Sequence, residues 1–407
     1  MRAFSFALAL SLAVFASACS SLDPIARPPA VTGEADFSSY VAIGTSISMG
    51  IQSAGLTEQY QRFSFPALLA AATGANGGTF VQPLVPDPGI PPVLDLVGFT
   101  IEGQPILQLR PGPQPSGPST PRPADGYDNL GISGAVVANA LTKTTGDEPT
   151  NYFDLVLQGQ GTMLRQALAQ RPTFVTVELG VNDALRAVLA GTDTELITSG
   201  EFQALYTQVM DSLAAGAPGA RLALMNIPNV TDIPFATAIG LDVDLGAGPV
   251  RLKDAAGPLP DGARILLTAA ALVASGAGLP GAAPPLPDSL VLTVAEVANI
   301  EAAVAAYNAV IAQQAQARGA ALADANGLFA RAHDSGILVA GTRYTTAFLS
   351  GGLFSRDGIH PSSLGHGLLA NEFIRAINAR FGGSIAPVDL LPLIGQQSDG
   401  TFFARQE

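Results

Sequence analysis

Apolar residues along this chain fall into two alternating patterns: short dense runs, and stretches that repeat every three or four positions. Tyr40-Val41-Ala42-Ile43, closed by Gly44, is a β-rich run of the kind found in buried strands. Residues 173–179, closed by Gly180, and residues 221–227, closed by Pro228, repeat it, and residues 320–325 form a weaker fourth run. Between the second and third runs, Phe202, Leu205, Val209 and Leu213 share one face of a helix predicted over 200–215. Another helix is signalled at Thr293, where the Thr-x-x-Glu296 spacing fits a capping box and Val297, Ile300, Val304, Tyr307 and Ile311 follow at helical spacing. A last helix after Pro361 carries Leu369, Phe373, Ile377 and Phe381 at every fourth position. Strands alternating with helices predict an α/β fold, a parallel sheet covered on both faces.

Two stretches break the rhythm. Residues 81–128 hold 12 of the 31 prolines, which forbids a long helix or a central strand there. Residues 232–288 are rich in Gly, Pro and Ala, with one apolar helical piece near 265–273. Both read as loop-rich insertions at the rim of a single domain over 37–383, followed by a C-terminal tail over 384–407.

The first 18 residues have the layout of a secretory signal: Arg2, an apolar run over 3–15, then small residues ending in Ala16-Ser17-Ala18. The run is too short to span a bilayer comfortably, and no later run of 18 or more apolar residues follows. Cys19, directly after it, is the only cysteine. The arrangement resembles a bacterial lipoprotein signal, which implies lipidation of Cys19, a linker over 19–36 and a place in the cell envelope, with the outer membrane expected. A plain Ala-x-Ala cleavage site that happens to precede a cysteine is the alternative.

Composition narrows the function. With 20 basic against 33 acidic residues the formal net charge is -13, and no Lys/Arg cluster appears, so a nucleic-acid partner is not expected. One cysteine permits neither an intrachain disulfide nor a cysteine-based metal site. His333, His360 and His366 do not have the spacing of a zinc-binding helix. There is no Gly-x-Ser-x-Gly elbow, phosphate loop or dinucleotide fingerprint.

Four short motifs carry candidate chemistry. Gly44-Thr45-Ser46-Ile47-Ser48 follows a predicted strand, and open α/β sheets place ligands at the carboxyl ends of strands. Taken alone, Ser46 reads first as a helix cap, as a serine in a loop after a strand usually is. In Asp357-Gly358-Ile359-His360-Pro361 the carboxylate can receive one ring N–H, which frees the other ring nitrogen as a base. Gly180-Val181-Asn182-Asp183 puts an amide side chain at another strand's end, where it could also be an N-cap. Asn129-Leu130-Gly131-Ile132-Ser133-Gly134 offers glycines at which a backbone N–H can approach a ligand, or a simple turn. His366 reads as support for the His360 loop, and His333 as exposed.

In order and content these motifs resemble the four blocks of the GDSL esterase/lipase group, the SGNH hydrolase superfamily, over about residues 37–383. The resemblance implies a three-layer α/β/α sandwich with a mainly parallel, flavodoxin-like sheet of about five strands. It implies a serine ester hydrolase with Ser46 as nucleophile, His360 as base and Asp357 as its partner. The oxyanion hole would be the backbone N–H groups of Ser46 and Gly134 and the Asn182 amide, with Gly131 as the rival glycine. No metal or organic cofactor is required, and the partner is an ester substrate: a lipid, an acylated sugar or a small acyl ester. An inactive envelope lipoprotein that keeps the fold for binding, or an acyltransferase, are the other readings. The group's first block usually reads Gly-Asp-Ser, whereas this chain has Thr45, so altered hydrogen bonding in that loop is expected.

Overall fold

In the computed structural model, which describes residues 30–395 except 101–104, 147–151, 245 and 247, the predicted strands are the centre of a five-stranded sheet. The expected signal segment and Cys19 lie outside the described residues. Strands β1 (Tyr40–Gly44), β2 (Asn129–Gly131), β3 (Phe174–Glu178), β4 (Arg221–Met225) and β5 (Ala321–Ala323) run parallel in the order β2-β1-β3-β4-β5. Every residue of β1 and β3 is buried, as a parallel sheet covered on both faces requires.

Helices cover the sheet: α1 (Ser46–Met49), α2 (Phe65–Thr73), α3 (Val181–Ala190), α4 (Ser199–Gly216), α5 (Val294–Arg318), α6 (Ala325–Asp334) and α7 (Ser363–Phe381). Phe65 of α2 stacks on Phe373 of α7 at 4.7 Å, and Phe202 of α4 stacks on Tyr307 of α5 at 4.2 Å. These aromatic pairs fix the two helix pairs by apolar burial and offset ring contact. The capping box at the start of α5 forms as the spacing predicts: Thr293 Oγ1 accepts from the Glu296 amide at 3.3 Å, and Glu296 accepts from the Thr293 amide at 2.8 Å. The architecture is the expected three-layer α/β/α sandwich with a flavodoxin-like strand order.

The strand over 129–131 has only three residues, so it reads in sequence as a turn motif and not as a β run. Its pairing with β1 aligns Gly131 with Gly44, and the pairing of β1 with β3 aligns Gly44 with Glu178. Three strands therefore end at one level, where the chain order reverses direction across β1 and β3. Open sheets of this kind form their ligand crevice at such a point.

The first insertion contains an antiparallel hairpin, Leu94–Phe99 with Pro105–Leu109. The second has a small apolar cluster of its own, including Leu252, Leu259, Ile265, Leu286 and Val291. Residues 384–395 dock along α7. Asn378 and Asn371 bond the backbones of Ile385 and Val388, and Leu393 is buried.

Candidate active site

Ser46 is the first residue of α1, the short helix that the chain enters as it leaves β1. The helix cap is Thr45, whose side chain accepts from the Ile47 amide, so the Ser46 hydroxyl is not engaged as a cap. Neither the Ser46 hydroxyl nor its backbone N–H has a hydrogen-bond partner among the described residues.

Asp357 and His360 meet as their spacing predicts. His360 Nδ1 lies 2.8 Å from Asp357 Oδ2. The Asp357 carboxylate is more fully engaged than sequence suggests. Its Oδ1 accepts from the backbone amides of Ile359 (2.8 Å) and His360 (2.9 Å) and from Ser355 Oγ (2.9 Å). Its Oδ2 also accepts from the Ala54 amide at 2.7 Å. Burial alone raises this carboxyl, but the positive charge and hydrogen bonds of His360, with the Ile359 amide, outweigh it and hold it down to about 2.

The Ala54 contact matters for assembly. Ser53 and Ala54 follow α1 in a turn with positive φ, and the Ser53 amide donates to Ser355 Oγ at 2.8 Å across a separation of 302 positions. The segment carrying Ser46 is thus tied directly to the segment carrying Asp357. No local signal in the sequence marks Ser53 or Ala54 for this role.

Asn182 is the second residue of α3; the N-cap is Gly180, and Asn182 does not cap the helix. Its Nδ2 donates to the Ala135 carbonyl at 3.0 Å, and its second amide proton has no acceptor among the described residues. Next to it, Asp183 Oδ2 accepts from the Val137 amide at 3.0 Å. Burial pushes the Asp183 carboxyl up to about 6, against the opposing pull of that amide. Together the two side chains bind the loop after β2 to the start of α3.

The two candidate glycines differ. Gly131 lies inside β2, where a Cβ would be 2.5 Å from the Met49 amide nitrogen, and its N–H is bonded to Asn129 Oδ1. It is a packing glycine beneath α1. Gly134 follows the strand with φ +78°, a Cβ there would meet nothing within 4 Å, and its N–H has no acceptor among the described residues.

A cleft open to solvent, with about 410 Å³ of empty space counting the open solvent at its mouth, is lined by both Ser46 and His360. The other lining residues, among them Val181, Leu185, Ile233, Phe329 and Phe354, are apolar. Ile233 comes from the second insertion, and the first insertion contributes no lining residue. Both insertions nevertheless brace the Asp-x-x-His turn. Arg356 Nη1 donates to Leu94 O at 3.1 Å, and the Phe235 amide donates to Gly358 O at 2.8 Å.

The remaining histidines separate into one buried and one exposed. His366 is fully buried in α7, with no hydrogen-bond partner for either ring nitrogen among the described residues. Burial, then the charge of His360, pushes it down to about 3, so it packs as a neutral ring. His333 is on the surface of α6, 3.1 Å from Asp334.

Comparison with known proteins adds a family. The model described as GDSL-like Lipase/Acylhydrolase matches residues 40–373. No curated protein matches the chain. Among solved structures, the extracellular lipase of Streptomyces rimosus is 18% identical, with 84% of this chain and 98% of that one covered and a TM-score of 0.36. Phospholipase A1 of Streptomyces albidoflavus is 15% identical, with 84% and 98% covered and a TM-score of 0.35.

Proposed function

Because the chain belongs to the GDSL-like lipase/acylhydrolase family and is a carboxylic ester hydrolase, we propose that it works through an acyl-enzyme on Ser46. The observation that carries this reading is the shared cavity: Ser46 and His360 are its two polar lining residues, and His360 is oriented by Asp357 from behind.

In the proposed cycle Ser46 Oγ attacks the ester carbonyl carbon and His360 Nε2 takes its proton. Asp357, already ionised, stabilises the imidazolium through Nδ1. The oxyanion receives the N–H groups of Ser46 and Gly134, which have no acceptor among the described residues, and the remaining Asn182 amide proton. Donors of this kind are each worth about 2.7–4 kcal/mol of barrier. Collapse breaks the bond to the alcohol oxygen, which takes the proton back from His360. Water, activated by the same ring, then cleaves the acyl-enzyme.

The apolar lining favours an ester with an apolar chain over an acetylated sugar. Each methylene buried is worth about 0.8 kcal/mol, or roughly a fourfold gain. In a series of p-nitrophenyl esters from acetate upward, kcat/KM is expected to climb by up to about that factor per methylene until the slot is full. A maximum at acetate, matched by good turnover of acetylated polysaccharide, would remove the apolar-chain assignment. No hydrolysis of any member would remove the reading of Ser46.

We also propose envelope anchoring through lipid on Cys19, supported by the apolar leader and by the position of the single cysteine. Acyl chains there would hold the protein by methylene burial. Expressed in a bacterium, the wild type is expected in the membrane fraction and Cys19→Ala in the soluble fraction. Mass spectrometry of wild type that finds an unmodified Cys19 would refute the anchor.

A further inference from the structure

Thr45 and Ser48 bracket the candidate nucleophile, and both direct their backbone amides and hydroxyls at one side chain from another strand. Glu178, the last residue of β3, accepts from the Thr45 amide at 2.8 Å and from the Ser48 amide at 3.1 Å, both on Oε2. The Ser48 hydroxyl reaches the same oxygen at 2.9 Å, and the Thr45 hydroxyl bonds Oε1 at 2.8 Å. Thr45, Ser48 and Glu178 are all fully buried. Gly44 is what lets them converge: a Cβ there would be 2.1 Å from Ser48 Oγ and 2.8 Å from Glu178 Oε2.

A buried carboxylate is an expensive way to stabilise a turn, since apolar side chains of similar volume often do as well or better. Its effect here is selective. The Thr45 and Ser48 amides go to Glu178, the Ile47 amide to Thr45 Oγ1 and the Met49 amide to Thr45 O. The Ser46 amide is left pointing at no acceptor among the described residues. Thr45 is also where the resemblance to the family departs from Gly-Asp-Ser, and its hydroxyl joins this network, not the cavity.

We propose that Glu178 is a positioning residue for the esterase reaction: its carboxylate locks the turn so that the Ser46 hydroxyl and N–H stay aimed into the cavity. This rests on the reading of Ser46 as nucleophile. Two amide donors on Oε2 require an unprotonated oxygen at that position. A glutamine meets the requirement, with its carbonyl at Oε2 and its amide donating to Thr45 Oγ1, whereas a leucine does not.

The test uses the full chain, with active sites counted by fluorophosphonate labelling. Glu178→Gln is expected to stay within about tenfold of wild-type kcat, and Glu178→Leu to fall about a hundredfold with KM little changed, the scale of a misplaced reacting group. The rate of Ser46 labelling should fall in parallel. Should Glu178→Leu fail to fold, Ser48→Ala, which removes one hydroxyl donor, is expected to lower both rates by about a factor of ten and decides the matter. A folded Glu178→Leu, or a Ser48→Ala, that labels at the wild-type rate would overturn the proposal. So would Glu178→Gln falling as far as Glu178→Leu. A wild type that does not label at Ser46 would instead remove the nucleophile, and this role with it.

Discussion

Ser46→Ala is expected to lower kcat on p-nitrophenyl esters by roughly four orders of magnitude or more, because nucleophile and base act as a unit and loss of either removes the covalent route. The protein should remain as stable as wild type. Ser46 Oγ makes no hydrogen bond among the described residues, the cap of α1 is Thr45, and deleting one hydroxyl from the wall of an open cavity exposes no new buried polar group. Unchanged thermal unfolding together with lost turnover and lost fluorophosphonate labelling is therefore the predicted signature. Turnover close to wild type would show that another group attacks the ester.

The second large effect is expected at Asp357. Asp357→Asn preserves shape but not hydrogen-bond polarity. Each carboxylate oxygen faces donors: Ile359 N, His360 N and Ser355 Oγ on one side, Ala54 N and His360 Nδ1 on the other. Whichever way an asparagine amide is turned, its NH2 meets at least one backbone N–H. If it faces His360, it also forces the ring into the tautomer that cannot accept the serine proton. A fall in kcat of about 10³- to 10⁴-fold is expected.

Stability should fall as well, and the sign is fixed by the depressed pKa. A carboxyl at about 2 in the folded protein against 3.8 otherwise contributes stability that is present above 3.8 and lost as pH falls through about 2. That contribution is about 2 kcal/mol at neutral pH. Urea unfolding at pH 7 should show the variant weakened by at least this amount. If Asp357→Asn kept kcat within about tenfold of wild type, His360 would have to be oriented by something else.

What could be read from sequence divides by the range of the interactions. The capping box at Thr293, the helical faces of α4, α5 and α7, and the runs of β1, β3 and β4 are set by residues a few positions apart. The Asp357–His360 pair belongs with them, because three residues of one turn suffice to close it. β2 was harder to read, since three residues carry too little periodicity to separate a strand from a turn. Asn182 could be read as an N-cap, but Gly180 caps α3 and the Asn182 amide bonds Ala135, 47 positions away.

Sequence by itself determined the alternation of four of the five strands with helices α4, α5 and α7, the family blocks and the chemistry available at Ser46, Asn182, Asp357 and His360. The tertiary structure alone decided that Ser46 and His360 line one cavity, that Ala54 and Ser355 join their two segments, and that Glu178 takes hydrogen bonds from the turn that carries Ser46. In the sequence Glu178 is only the charged residue near the end of a mostly apolar run. Its role arises where β3 lies beside β1 and the carboxylate, shut off from water, must take its hydrogen bonds from the turn that carries Ser46.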